Sequence, residues 1–166
     1  TDKINGLTYE EIAARGGGIL NSSDLLHTTS EEELYEQSIL RVHEMMAKGT
    51  GAIEIKSGYG LNPDDEIKML SVIQRIKNNV PAIIKSTFLG AHAVGRGYTH
   101  SQYVDCVCNE MLPRVVKETD VDFVDVFCDK GFFTAEDTDR ILQCARTYGL
   151  RPKIHANELA VSGGVQ

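Results

Sequence analysis

No apolar run in this sequence of 166 residues approaches the length that a membrane-spanning helix requires. A bilayer span needs about 18 or more consecutive apolar residues. The N-terminal residues, Thr1 to Gly6, also lack the basic and apolar regions of a signal peptide. We therefore expect a cytoplasmic protein with no membrane partner.

Basic residues are also too few for a nucleic-acid-binding protein. Lys and Arg number 17 against 24 Asp and Glu, which leaves a net charge of −7. Binding to a polyanion depends on clustered cationic side chains that displace counterions. We therefore expect no nucleic-acid partner and look for a small-molecule substrate.

Cysteine is scarce, and its spacing favours neither a disulfide framework nor a metal cluster. The four cysteines are Cys106, Cys108, Cys128 and Cys144. Cys106 and Cys108 form the only close pair, and residues two apart on a helix face different directions. The pattern indicates buried, reduced thiols.

The length and the composition indicate one soluble domain. Apolar residues make up 42% of the sequence and charged residues 25%, as in ordinary globular proteins. No linker or low-complexity segment divides the chain. The glycine run at 16–18 has no preceding strand and no Lys-Ser or Lys-Thr after it, so a helix-ending turn is favoured over a phosphate-binding loop.

Strand-like and helix-like patterns alternate along the chain. Capping signals and apolar periodicity predict helices at 8–15, 31–48, 62–79, 99–117 with an interruption near Pro113, and 134–148. Short apolar segments predict strands at 52–56, 82–89, 121–128 and 153–158. This spacing of about 30 to 40 residues is typical of βα units. It predicts an α/β fold with parallel strands and about four βα units.

Residues able to carry chemistry follow the predicted strands. In parallel α/β folds, ligands bind at the C-terminal ends of the strands. Those ends carry Ser57-Gly58-Tyr59, His92, Cys128-Asp129, and His155 with Glu158.

His155 and Glu158 are the strongest candidates for chemistry. Three extended residues span at most about 10 Å, so both side chains can reach one small site. A neutral imidazole is a metal ligand, and a neighbouring carboxylate can move a proton from activated water to a leaving nitrogen. A hydrogen-bonded core histidine is the alternative for His155, because His-x-x-Glu is a short pattern.

Three further residues are candidates for substrate contacts. His92 follows two small residues, and its alternative role is to fix its own loop. Tyr59 lies between two glycines, where plain surface exposure is the alternative. Tyr9 directly follows a predicted helix cap, which by itself favours a packing role.

Several segments together resemble the imidazolonepropionase family of the amidohydrolase superfamily. They are Thr8-Tyr9-Glu10-Glu11-Ile12 leading into Gly16-Gly17-Gly18-Ile19, Glu54-Ile55-Lys56-Ser57-Gly58-Tyr59-Gly60-Leu61, Ser86-Thr87-Phe88-Leu89-Gly90-Ala91-His92-Ala93, Val126-Phe127-Cys128, and Lys153-Ile154-His155-Ala156-Asn157-Glu158 with Gly163-Gly164. The resemblance covers essentially the whole chain. It implies part of an amidohydrolase-type (β/α)8 TIM barrel.

The resemblance also implies an activity, a cofactor and roles for individual residues. The reaction is the hydrolytic opening of 4-imidazolone-5-propanoate to N-formimino-L-glutamate in histidine degradation, with one divalent metal ion, zinc or iron. His155 would be a metal ligand and Glu158 the acid/base. His92, Tyr59 and Tyr9 would hold the substrate. His92 would contact either the ring or its carbonyl and would count, with Glu158, among the catalytic residues. We expect the full-length protein to be a homodimer.

The chain departs from the family pattern in two places and omits parts of the site. Leu26-His27 replaces a Thr-Arg pair, and Gly95-Arg96-Gly97 replaces a segment with Pro and Glu. The family's His-x-His metal pair and substrate-binding Arg precede the chain, and its last metal-ligating Asp lies beyond Gln166. We therefore expect residues 1–166 to form a single, incomplete domain that is inactive alone and is poorly stable or associates.

Two other interpretations remain at this point. One is another cyclic-amide hydrolase or deaminase of the same superfamily, which would share His155 and Glu158. The other is a flavodoxin-like binding domain built from four or five βα units. The absence of a phosphate-binding glycine loop after the first strand disfavours that domain.

Overall fold

The computed structural model describes residues 18–165. Its helices are α1 (Ile19–Thr28), α2 (Glu31–Ala47), α3 (Pro63–Asn79), α4 (His100–Cys106), α5 (Leu112–Glu118) and α6 (Ala135–Thr147). Its strands are β1 (Ala52–Lys56), β2 (Ile83–Ala91), β3 (Phe123–Cys128) and β4 (Arg151–Ala156). The predicted helix at 8–15 and the candidate residue Tyr9 lie outside the described residues.

The four strands form one parallel sheet in the order β1-β2-β3-β4. The predicted α/β class with four parallel strands is therefore confirmed. Sequential order is expected for part of a (β/α)8 barrel, whose strands follow one another around the ring. A flavodoxin-like sheet has the order 2-1-3-4-5, so the strand order of this sheet does not support the binding-domain alternative.

Three predicted helix starts have the expected caps. The side chains of Ser30, Asn62 and Thr134 each accept a hydrogen bond from a backbone N–H of the following first turn. Pro63 occupies the first turn of α3, where its missing N–H costs no helical hydrogen bond. In α6 the Asp137 carboxylate also accepts from the Thr134 N–H, which completes a capping box.

The first helix, α1, was not predicted from the sequence. Its central residues Asn21, Ser22, Ser23 and Asp24 disfavour helix interiors, because their side chains compete for backbone hydrogen bonds. No side chain caps its N-terminus. Leu26 of this helix is buried, and such tertiary packing cannot be predicted from the helix propensities of the neighbouring residues.

The interruption predicted near Pro113 takes the form of a π-helical turn, Val107–Met111, between α4 and α5. Pro113 lacks an N–H, and its ring would clash with a carbonyl in the preceding turn of a regular helix. The wider turn, in which the Leu112 N–H bonds to the carbonyl of Val107, keeps the helical segments continuous.

Helices and strands share a core on one face of the sheet. Phe88, Val124 and Val126 are fully buried there, together with Leu112 and Ile141 from the helices. Burial of each such side chain contributes about 1.5–3 kcal/mol. The strand residues that alternate with them carry charged and polar groups on the other face, where Lys56 pairs in register with Thr87 and Asp125 pairs with Lys153.

The last strand, β4, differs from its prediction. It ends at Ala156, so Glu158 lies in the following loop, and it is less buried than its apolar sequence indicates. Ile154 is 42% exposed, and within residues 18–165 β4 pairs with β3 alone. None of the helices within residues 18–165 combines the length and the apolar character that crossing a bilayer requires.

Candidate active site

A cleft of about 360 Å³ lies at the C-terminal ends of the strands. Four of the five candidate residues line it, namely Tyr59, His92, His155 and Glu158. The remaining lining residues are Lys56, Ser57, Leu89, Phe127, Phe132 and Leu159. The cleft therefore combines several polar side chains with an apolar and aromatic wall.

The loop after β1 enters the cleft in a conformation that few residues tolerate. Gly58 has φ +114°, and a Cβ there would lie 2.8 Å from the carbonyl oxygen of Leu89. Leu61 has φ +54°, a value that is unfavourable for a branched side chain. Tyr59 lies between these positions and is 43% exposed.

A buried carboxylate fixes this loop. Glu66, in the first turn of α3, is fully buried and accepts hydrogen bonds from the backbone N–H groups of Gly58, Gly60 and Leu61 at 3.0, 2.8 and 3.1 Å. Burial raises the pKa of Glu66, and hydrogen bonds from the Ser57 hydroxyl and the three N–H groups oppose that rise.

His92 has one defined tautomer in its neutral form. Its Nδ1 lies 3.0 Å from the carbonyl oxygen of Gly58, which can only accept, so Nδ1 carries the hydrogen. Burial lowers the pKa of His92 below its usual 6.5. The ring is therefore neutral at pH 7, with a bare Nε2. Tyr59 and Phe127 pack edge-on against it, with ring centroids 5.2 and 5.7 Å away.

His155 lies beside a buried carboxylate on the neighbouring strand. Its Nδ1 is 2.8 Å from Oδ2 of Asp125, whose side chain is 1% exposed. The same oxygen accepts a hydrogen bond from Lys56 Nζ at 2.8 Å. His155 Nδ1 and Asp125 Oδ1 are both buried without a hydrogen bond, so the pair is close but not well aligned.

A charged network extends from this pair toward the N-terminal ends of the strands. Glu54 Oε1 lies 2.8 Å from Lys56 Nζ, 2.7 Å from Lys153 Nζ and 2.6 Å from Thr87 Oγ1. Burial acts to raise the pKa of Glu54, but hydrogen bonds from Lys153, Lys56 and Thr87 outweigh it and lower the pKa to about 2. Lys56 thus contacts two carboxylates, Glu54 and Asp125.

The loop that carries Glu158 is held by Asp129. Its carboxylate accepts hydrogen bonds from the N–H groups of Glu158, Leu159 and Ala160 at 2.8, 2.9 and 3.2 Å. Hydrogen bonds from backbone N–H groups, that of Leu159 foremost, lower the pKa of Asp129. Asn157, at φ +60°, turns the chain immediately before Glu158.

The described residues fit one part of a metal site. No group of three or more His, Cys, Asp or Glu side chains within residues 18–165 is arranged to hold an ion. His155 nevertheless lines the cleft and sits beside a carboxylate, an arrangement common for metal-ligating histidines. Within this part of the chain, the position of His155 in the cleft is compatible with a ligand role.

Sequence reasoning missed the residues that support the site. Asp125 is an acidic residue between two valines of a buried strand, and that mismatch is the signal that could have identified it. Glu66 follows Asp64 and Asp65 in the first turn of a helix, so its sequence surroundings give no such signal. The sequence identifies Asp129 only as a strand-end residue. Its bonds to the backbone of residues 158–160 depend on the loop conformation and could not be read from the sequence.

Both departures from the family pattern form contacts within the described structure. His27 Nδ1 lies 2.7 Å from Asp65 Oδ2 in the first turn of α3. Arg96 forms an exposed ion pair with Asp24 of α1. A Cβ at Gly95 would lie 2.2 Å from the carbonyl oxygen of Leu61, so the loop after β2 packs tightly against the loop after β1.

The comparisons agree with the resemblance seen in the sequence. The chain is 54% identical to an imidazolonepropionase of Christiangramia forsetii and 53% identical to one of Flavobacterium johnsoniae, in each case over 99% of this chain and 41% of the relative. A probable imidazolonepropionase of Nematostella vectensis is 44% identical over 95% of this chain and 38% of its own length. The chain matches no protein-family model.

Resemblance to imidazolonepropionases is thereby confirmed along nearly the whole chain. The chain spans about 40% of the length of the curated relatives it matches.

Proposed function

We propose that this chain, homologous along nearly its whole length to imidazolonepropionases, supplies part of the active site of a metal-dependent hydrolase. The substrate would be 4-imidazolone-5-propanoate and the product N-formimino-L-glutamate, in histidine degradation. The observation that carries the proposal is the shared cleft of Tyr59, His92, His155 and Glu158 at the strand ends.

The reaction makes specific demands on such a cleft. Water adds to the ring carbonyl carbon, the bond between that carbon and the adjacent ring nitrogen breaks, and a water proton ends on the nitrogen. The protein must therefore orient a flat, polar ring, remove a proton from water and return one to the leaving nitrogen. A cleft with one aromatic wall and several polar groups is suited to such a ligand.

His92 is suited to hold the ring through a ring N–H. Its Nδ1–H is committed to the carbonyl of Gly58, and its lowered pKa keeps Nε2 unprotonated at pH 7. A bare Nε2 accepts a hydrogen bond and cannot donate one. His92 is therefore suited to contact a ring N–H of the substrate and not the ring carbonyl.

Glu158 is the proposed proton carrier. Asp129 binds the N–H groups of residues 158–160, which holds the backbone of this loop beside the cleft. The carboxylate would take a proton from the attacking water and deliver it to the leaving nitrogen. A zinc or iron ion bound in part by His155 would supply Lewis acidity and activate the water.

Tyr59 would cover the substrate ring. It packs against His92 and lies on a loop held on both sides by bonds from Gly58 and Gly60 to Glu66. Tyr9 remains a proposed substrate contact on the strength of the family resemblance.

Two variants of the full-length protein test the proposal. Bound metal is measured by elemental analysis, and turnover by the loss of the imidazolone substrate. His155→Ala should lose most of the metal, whereas Glu158→Gln should keep it and lose about 10²- to 10⁴-fold in kcat, the usual contribution of a general acid/base.

His43→Ala is a matched control, because His43 is exposed on α2. It should keep both metal and turnover. Full activity in Glu158→Gln would contradict the mechanism, and full metal content in His155→Ala would contradict the assignment of the ligand.

A further inference from the structure

We propose that Glu66 is a positioning residue for the substrate-binding loop, setting the orientation of both Tyr59 and His92 through the backbone of Gly58 and Gly60. Glu66 lies outside the cleft and would touch no substrate. The proposal rests on the proposed function only for its substrate readout. Its effect on the His92 ring can be measured without any substrate.

Among the described residues, the hydrogen bonds of the Glu66 side chain all go to the loop after β1. Oε2 accepts from the Gly58 N–H, and Oε1 accepts from the N–H groups of Gly60 and Leu61. The Ser57 hydroxyl also donates to the carboxylate. Four consecutive or nearly consecutive residues are thus tied to a single side chain that is fully buried.

The loop after β1 needs such an anchor because part of its backbone has an unfavourable conformation. Gly58 and Leu61 both have positive φ, and for Leu61 that conformation carries a steric cost. Without strong acceptors, the N–H groups of this loop would also be left unpaired in a buried region. Glu66 supplies those acceptors from the rigid first turn of α3.

Gly58 connects the anchor to the site. Its N–H donates to Glu66, and its carbonyl accepts the Nδ1–H of His92. A rotation of this residue would therefore move the acceptor that fixes the His92 tautomer. Tyr59 follows directly, between two residues bound to the same carboxylate, so the clamp on the loop controls both proposed substrate contacts.

Glu66→Gln isolates this role because it preserves size and shape. The amide oxygen can replace one carboxylate oxygen, but the amide NH2 then faces a backbone N–H, and two donors cannot bond. If the oxygen stays with Gly60 and Leu61, the bond to Gly58 is lost. If the amide flips, the bonds to Gly60 and Leu61 are lost instead.

The experiment compares full-length wild-type protein with Glu66→Gln by steady-state kinetics and by 15N NMR of the His92 ring. KM for 4-imidazolone-5-propanoate should rise about tenfold or more, because a loop that has lost hydrogen bonds to residue 66 presents Tyr59 and His92 in the binding orientation for a smaller fraction of the time. The Nδ1–H signal of His92 should shift or broaden. Asp64→Asn is the control, because Asp64 is exposed in the same helical turn and contacts Arg114 instead of the loop.

A purely structural role for Glu66 predicts a different pattern. A smaller folded fraction would lower apparent kcat at unchanged KM and would leave the His92 signal of the folded protein in place. That result would overturn the proposal. If wild-type protein neither binds nor turns over the substrate, the proposed function fails, while the NMR comparison still decides the role of Glu66.

Ser57→Ala covers the case in which Glu66→Gln does not fold. It removes one donor to Glu66 and one acceptor for the Leu89 N–H, and leaves the three backbone bonds to Glu66 available. A smaller change in KM and in the His92 signal, in the same direction, is expected. Wild-type values for both would contradict the proposal.

Discussion

Replacing Asp125 by Asn tests how the polar face of the sheet supports the site. Asp125 is the most buried member of the group formed with Lys56 and His155, and one of its oxygens lies 2.8 Å from both Lys56 Nζ and His155 Nδ1. Asn keeps the shape of the side chain but removes the negative charge that faces Lys56 and His155. The change should therefore weaken the fold and loosen the orientation of His155.

The structure bounds the size of the effect. Removing one partner of a fully buried ion pair costs about 3–5 kcal/mol. Lys56 retains Glu54 at 2.8 Å and is 29% exposed, so it is not left unpaired. The expected loss is therefore about 1.5–3 kcal/mol, the range for a hydrogen bond to a charged group.

Urea unfolding of the full-length protein at pH 7, followed by circular dichroism, measures this loss. Asp105→Asn is a matched control, because Asp105 forms an exposed ion pair with Arg140 and should change stability by less than about 1 kcal/mol. The metal content of the same variants should also be measured, and Asp125→Asn is expected to bind metal more weakly than wild-type protein. Equal stability of the Asp125 variant and the control would refute this reasoning.

Three further predictions follow from the supporting contacts. Glu54, with a pKa lowered from 4.5 to about 2, contributes stability that is present above pH 4.5 and is lost as the pH falls toward 2. Converted into free energy of unfolding, this pKa shift corresponds to about 3 kcal/mol. Because the Glu54 side chain is 32% exposed, solvent screening reduces the contribution to roughly 1–2 kcal/mol. Urea titrations at pH 3 and pH 6 measure the free energy of unfolding, and its difference between the two pH values should be smaller in Glu54→Gln than in wild-type protein. An equal difference in both proteins would contradict a stabilising role for the contacts of Glu54. Gly58→Ala should raise KM and destabilise the protein by about 1–3 kcal/mol, because a Cβ would meet the carbonyl of Leu89 at an unfavourable φ. Wild-type KM would mean that the loop adjusts freely. Asp129→Asn should lower kcat about tenfold or more while the metal content is retained, because the loop of Glu158 loses backbone bonds to a charged acceptor. Unchanged kcat would exclude a role for Asp129 in placing Glu158.

The order and type of the elements could be read from the sequence because local signals agree with the fold. The caps at Ser30, Asn62 and Thr134 and the short apolar strands fix where most elements begin. Helix α1 could not be predicted, since tertiary packing of Leu26 overrides a local sequence that is weak in helix formers.

For the candidate site, the sequence predicts the residues that line the cleft but not the residues that hold them in place. Strand-end positions identify Tyr59, His92, His155 and Glu158, because a parallel sheet collects such residues at one edge. The carboxylates that hold them in place act across sequence separations that no local pattern encodes. Glu66 in particular resembles an ordinary first-turn helix residue until its burial is seen.

The most direct test of the central claim is turnover of 4-imidazolone-5-propanoate by the full-length protein. The purified protein, supplied with zinc or iron, is mixed with the substrate, and both the loss of the imidazolone and the formation of N-formimino-L-glutamate are followed. Wild-type protein should convert the substrate stoichiometrically, and Glu158→Gln should convert it at a rate lower by about 10²-fold or more. No conversion by metal-loaded wild-type protein, or equal conversion by the variant, would contradict it.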